Sequence, residues 1–199
     1  MSYANYTNPR ELIVLKYSNN SIELILYAYN AIYKLDGDLN FRDVYYDYNY
    51  YYGGLYYNST GDYILVSTYY GIDVLNRADF QFLRRINIGY YDINCIREYN
   101  GLLYFTSYYY YHTIFVLYNE SYTATISTSC PYTTSFDIDS FGVICLICSS
   151  SSALLYSIDG SQILYNDSIS SAFSNIFELN FDGFGNLVYS TQNSLYILH

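Results

Sequence analysis

The chain has 199 residues, 32 of them tyrosine and only two proline, and its 18 acidic against 8 basic side chains leave a net charge of −10. That balance argues against a diffuse attraction to nucleic-acid phosphates, and no apolar run approaches the ~18 residues that a transmembrane segment needs. Four irregularly spaced cysteines are too few for a disulfide-scaffolded secreted domain, and Met1-Ser2-Tyr3-Ala4-Asn5 lacks the basic start and apolar stretch of a secretion signal. The expectation is a chain made in the cytosol that leaves it only inside a larger particle, with the cell surface or the cytoplasm as alternative locations.

Taken in chain order, the predicted strands come in sets. Residues 2–7 alternate in character and precede a strand from Glu11 to Tyr17, then Ile22 to Tyr27, then Ile32 to Leu35, with Asp36-Gly37 as a hairpin turn. Gly61 to Ser67 leads to Ile72–Leu75 and to a strand in which Phe80, Phe82, Ile86 and Ile88 are expected on one face. Gly101 to Thr106 leads to Ile114–Leu117 and to the alternating run Tyr122–Ser127. Gly142 to Cys148 leads to Ala153–Tyr156 and a turn at Asp159-Gly160, and Gly185 to Ser190 leads to Leu195–Leu198.

With Tyr27, Ser67, Thr106, Cys148 and Ser190 taken as equivalent, the spacings are 40, 39, 42 and 42 residues. Short β-branched and aromatic runs broken by Asn, Gly, Asp and Ser at such a period indicate propeller blades of four antiparallel strands, not helical repeats. The expected fold is all-β: a single-domain, five-bladed β-propeller over 1–199, with blades at about 11–47, 52–88, 91–128, 132–168 and 175–199. The last blade lacks one strand, which residues 2–7 are expected to supply, closing the ring and removing its open edges.

Asp182-Gly183-Phe184-Gly185-Asn186-Leu187-Val188-Tyr189 resembles the acidic-turn-Gly-Asn-strand signature of NHL repeats, with Asp139-Ser140-Phe141-Gly142-Val143-Ile144 as a second copy. The Trp-Asp pair of WD40 repeats is absent, since the chain has no Trp. This likeness to short-blade propellers of the NHL and WD40 type implies a fold and leaves function open.

Chemistry-bearing residues are sparse. His112 and His199 are the two histidines, and no nucleophile elbow, phosphate loop or metal-ligand spacing occurs. Asp92, Asp137, Asp139, Glu178 and Asp182 lie near the predicted first strands, where the paired carboxylates of five-bladed glycoside hydrolases would sit, but blades of about 40 residues leave no room for the loops such sites need. The reading is therefore non-enzymatic, with no cofactor and no metal. Cys145 and Cys148 form a C-x-x-C within one strand, so they point to opposite faces; buried thiols are expected, with a disulfide to the loop residue Cys130 left open. Arg77, Arg84, Arg85 and Arg97 fall within 21 positions, either as a solvated blade edge or as a cationic spot for an acidic neighbour.

Tyrosine carries the functional reading. The ring is a stiff contact surface with a polar tip, enriched at interfaces, and the candidate interface residues are Tyr48, Tyr50, Tyr51, Tyr52, Tyr69, Tyr70, Tyr108, Tyr109, Tyr110 and Tyr111. Glycosylation sequons stand at Asn5, Asn19, Asn58, Asn119 and Asn166. Abundant Tyr, Ile, Asn and Ser with few Lys and Glu resembles the structural proteins of viruses of hyperthermophilic archaea, in particular the small propellers at the tail nozzle of spindle-shaped viruses. That likeness implies a virion tail protein, nozzle or adaptor, whose partners are copies of itself and other virion proteins. The alternative is a glycan-binding propeller for cell-surface attachment.

Overall fold

The structure, a computed structural model, describes residues 9–16, 20–28, 31–46, 54–58, 62–68, 70–89, 93–110, 112–119, 121–130, 133–148, 152–160, 162–165, 176–181, 186–191 and 195–198. Every regular element among them is a strand. The first sheet is β1 (Pro9–Lys16), β2 (Ile22–Ala28), β3 (Ala31–Asp36) and β4 (Phe41–Tyr46); the second is β5 (Leu55–Asn58), β6 (Tyr63–Thr68), β7 (Gly71–Asn76) and β8 (Phe82–Ile86). The third comprises β9 (Ile93–Tyr99), β10 (Leu102–Ser107), β11 (Thr113–Tyr118) and β12 (Ser121–Ser127), and the fourth β13 (Thr133–Ile138), β14 (Val143–Cys148), β15 (Ser152–Ser157) and β16 (Gln162–Tyr165). The last sheet, β17 (Ile176–Phe181), β18 (Leu187–Thr191) and β19 (Leu195–Leu198), has three strands. The chain divides into two compact units, 1–96 and 97–199, with β9 crossing the boundary.

Each four-stranded sheet is an antiparallel meander in sequence order, the blade unit that β-propellers repeat. Among the described residues four such blades are present, where the sequence led us to expect five. Among the described residues the last sheet has three strands, and residues 2–7, expected to complete it as a blade, lie outside the described residues.

Pairing between the third and fourth strands is irregular at the same place in all four blades: between Lys34 and Leu35, Val74 and Leu75, Val116 and Leu117, and Leu155 and Tyr156. A bulge there increases the local twist and breaks the period of two. It also corrects the expectation for β8. Leu83 is the extra residue, so Phe82 faces solvent at 50% exposure while Ile86 and Ile88 are buried, and Phe80 is buried from the preceding turn at φ 55° rather than from a strand.

In the first unit the core joins two blades: Ile25, Tyr27 and Ile32 pack with Leu55, Ile64, Val66, Leu75 and Phe80. Burying each such side chain contributes about 1.5–3 kcal/mol. A polar latch spans the same two blades. The Lys34 ammonium donates to the carbonyls of Arg77 and Ala78 and lies 4.6 Å from the Phe80 ring centre. Arg77 in turn reaches Glu23 on β2 (2.9 Å) and Asp62 before β6 (2.5 Å). Burial pulls the Lys34 pKa down, against the opposing field of Glu23.

In the second unit Phe105, Ile114, Phe136, Ile144 and Leu146 are fully buried. The loop after β12 is tied down by a disulfide from Cys130 to Cys148 at the end of β14, with Cα atoms 5.5 Å apart. Cys145, three residues earlier and facing the other way, remains a buried thiol, as does Cys95 of the first unit. The disulfide left open by the sequence is thus made, and the C-x-x-C pair does not close on itself.

Candidate interaction surface

Four exposed tyrosines, Tyr70, Tyr108, Tyr109 and Tyr110, lie in the turns between the second and third strands of the second and third blades. In the second blade β6 ends at Thr68, whose hydroxyl accepts the Tyr70 N–H (3.1 Å) and donates to the Gly71 carbonyl (3.1 Å). The next blade repeats the device: β10 ends at Ser107, whose hydroxyl accepts the Tyr109 N–H (3.3 Å). A hydroxyl two residues before the tyrosine closes a local turn in place of a backbone bond. Both turns therefore present one tyrosine at the same repeat position, Tyr70 at 51% and Tyr109 at 61% exposure.

Each turn is anchored. Gly71 has φ 145°, and a side chain there would place Cβ 2.2 Å from the Ile86 carbonyl oxygen of β8, so only glycine lets the two strands approach. The Tyr70 ring lies 5.6 Å from the Arg85 guanidinium, which is held by a two-pronged pair with the fully buried Asp73 (2.5 and 2.8 Å). In the following blade Ser107 O accepts Tyr110 N–H, and Tyr110 O accepts Thr113 N–H. Tyr108 meets Tyr109 edge-on at 5.9 Å, and Tyr110 meets Phe115 edge-on at 5.7 Å. Phe115 stacks on the buried Phe105 at 5.1 Å and meets Tyr122 at 6.1 Å. From Tyr110 the ring contacts run through Phe115 to the buried Phe105, which fixes that side of the turn on the blade.

Of the tyrosines singled out in the sequence, Tyr70, Tyr108, Tyr109 and Tyr110 come to these turns and are exposed; Tyr48, Tyr50, Tyr51, Tyr52, Tyr69 and Tyr111 lie outside the described residues. Among the sequons, Asn119 is exposed in the β11–β12 turn with φ 47°, whereas Asn58 closes β5 and is 7% exposed. Asn5, Asn19 and Asn166 lie outside the described residues. Sequence reasoning missed the supporting residues Thr68, Ser107, Arg85, Asp73 and Phe115. The two hydroxyls were readable once the repeats were aligned, since each directly follows the equivalent residues Ser67 and Thr106.

The arginine group divides into three engaged side chains and one exposed on the outer strand of its blade. Arg77 and Arg85 are engaged as described, and Arg97, buried on β9, donates to Asp137 on β13 (2.8 Å). Arg84 is exposed on β8. The acidic candidates are likewise committed where they can be seen. The second oxygen of Asp137 accepts the Phe181 N–H of β17 (2.6 Å), so one carboxylate links the first strands of three successive sheets. Asp139 accepts the N–H groups of Phe141 and Val143 and shapes the β13–β14 turn. Glu178 lies in β17; Asp92 and Asp182 lie outside the described residues. His112 donates from Nδ1 to the Cys130 carbonyl, bracing the disulfide loop, and His199 lies outside the described residues.

Among the described residues no group of three or more His, Cys, Asp or Glu side chains converges as metal ligands would, and no helix is long and apolar enough to cross a membrane. Comparison with protein-family models and with curated proteins finds no match to the chain.

Proposed function

We propose that the protein is a non-enzymatic structural module that assembles with copies of itself and with other proteins of a particle, through rigid tyrosine-bearing turns repeated on its blades. A virion tail, at its nozzle or adaptor, is the setting that the sequence resemblance favours. In this reading residues 2–7 supply the fourth strand beside β17–β19, and five blades close into a ring of the short-blade type. The observation that carries the assembly role is the recurrence of one turn device, Thr68 under Tyr70 and Ser107 under Tyr109. Surface tyrosines that only fill space have no need of the same support in two blades.

Sedimentation equilibrium tests it. The wild-type chain is expected to associate with rising concentration, and the double variant Tyr70→Ser, Tyr109→Ser to weaken association by about 10²-fold, since buried interface tyrosines are each worth about 1–2 kcal/mol or more. Both side chains are largely in solvent in the single chain, so the melting temperature should hardly move. Equal association of the two proteins, or a wild type that stays monomeric, would refute the proposal.

The same recurrence favours one second reading, a glycan-binding propeller whose tyrosines stack on sugar rings at equivalent sites and gain avidity from repetition. A glycan array without binding removes it.

A further inference from the structure

The two tyrosine turns are held by different means. In the second blade only residues 69–70 separate β6 from β7, and the turn is fixed where it stands by the Thr68 hydroxyl and by the close approach of Gly71 to β8. In the third blade residues 108–112 lie between β10 and β11. A longer loop has more conformations to lose. Its internal bonds, from Tyr110 N–H to the Ser107 carbonyl (3.2 Å) and from Thr113 N–H to the Tyr110 carbonyl (3.1 Å), enclose His112 without engaging its ring or its carbonyl.

Both are taken up by the connector after β12. Thr128 N–H donates to the His112 carbonyl (2.7 Å), and the His112 ring donates to the carbonyl of Cys130. The connector is in turn tied twice to the fourth blade: Ser129 N–H donates to the Tyr156 hydroxyl of β15 (2.9 Å), and Cys130 is bonded to Cys148 at the end of β14. A path of bonds thus runs from Tyr110 through His112 and Cys130 to β14, and the stronger of its two crossings between blades is a disulfide. The Tyr70 turn has no such link, since the one cysteine of its unit, Cys95, is a buried thiol.

We propose that the Cys130–Cys148 bond is a redox-controlled brace of the Tyr108–Tyr110 turn: oxidation sets this turn, reduction loosens it, and the Tyr70 turn does not respond. Its consequence for assembly rests on the function proposed above, whereas the brace itself does not. The reductant is a dithiol. One of its thiolates attacks a sulfur of the pair, and the other cysteine leaves as a thiolate and takes up a proton. The second thiol of the reductant then displaces the remaining cysteine, so that two electrons and two protons pass to the pair and the dithiol ends as a cyclic disulfide. Cys145 cannot replace the reductant, because it faces away from Cys148 on the same strand. Both sulfurs are buried, but Ser127 and Ser129 on the connector are exposed, so lifting this short segment admits the reductant.

Amide hydrogen exchange on dilute, monomeric protein tests the brace apart from assembly. Reduction with dithiothreitol should speed exchange of the Thr113 and Thr128 amides about tenfold or more, and leave the Ser67 and Tyr70 amides of the second blade unchanged. His112→Ala should speed the same two amides while the disulfide stays closed, which reads the path without any reduction. Sedimentation of the oxidised and reduced protein then reads the consequence: if exchange responds and association does not, the brace stands and the assembly role of the turn fails. Thr113 and Thr128 amides that exchange alike in both redox states, a His112→Ala protein that exchanges as the wild type does, or an equal loosening of the second blade overturns the proposal.

Discussion

Replacing Asp137 by alanine is expected to destabilise the protein by about 3–5 kcal/mol, the usual cost of removing one partner of a buried ion pair. The loss has two parts. Arg97, which is 6% exposed in its side chain, would keep its charge with no carboxylate beside it, and the Phe181 N–H would lose its acceptor. Changing both partners, Arg97→Met with Asp137→Leu, should cost less than the single change, because no uncompensated charge is left behind. Urea denaturation of the three variants measures this directly. The result also bears on function, since a carboxylate kept for catalysis is commonly held at some expense to stability and its removal is neutral or stabilising. A change below about 1 kcal/mol for Asp137→Ala would mean that the three first strands are not joined through this side chain.

The second large effect is expected from Cys130→Ser. The Cys130–Cys148 bond spans 18 residues, and releasing a loop of that length restores unfolded-state freedom worth about 3 kcal/mol. Both sulfurs are buried, so a reductant should act on the native protein only as it opens. A thiol reagent should find no reactive group in the native chain, two after unfolding and four after unfolding with reductant, out of four cysteines. Burial pushes the Cys145 thiol up to about 12 from an ordinary 9.0. The folded state therefore holds that proton longer than the unfolded one does, and stability should fall as pH rises from 9 toward 12. Four titratable thiols without reductant would contradict the bond.

Much of the architecture could be read from residues because blades are local objects. Glycine or Asx turns, β-branched runs and the 40-residue period specify each hairpin from its own neighbours, and the strands expected in blades one to four fall where the structure has them. What escaped depends on partners far apart in sequence or on one-residue irregularities. Arg97 meets Asp137 forty residues on, and Arg77 meets Glu23 fifty-four residues back, so four nearby arginines looked like a surface feature. The bulge at Leu83 turned Phe82 outward where strict alternation would have buried it. For the candidate surface, the tyrosine clusters pointed to turns in which Tyr70 and Tyr108 to Tyr110 are exposed. The hydroxyls and the Arg85–Asp73 pair that hold those rings emerged only with coordinates.

Hydroxyl-radical footprinting of tyrosines in the free and the assembled protein tests the assembly role most directly. Tyr118, the last residue of β11, is exposed at the other end of that strand from the Tyr109 turn and serves as an internal control. Tyr70, Tyr108, Tyr109 and Tyr110 should lose most of their labelling on assembly while Tyr118 keeps its own. Equal labelling of all five in both states would contradict the account.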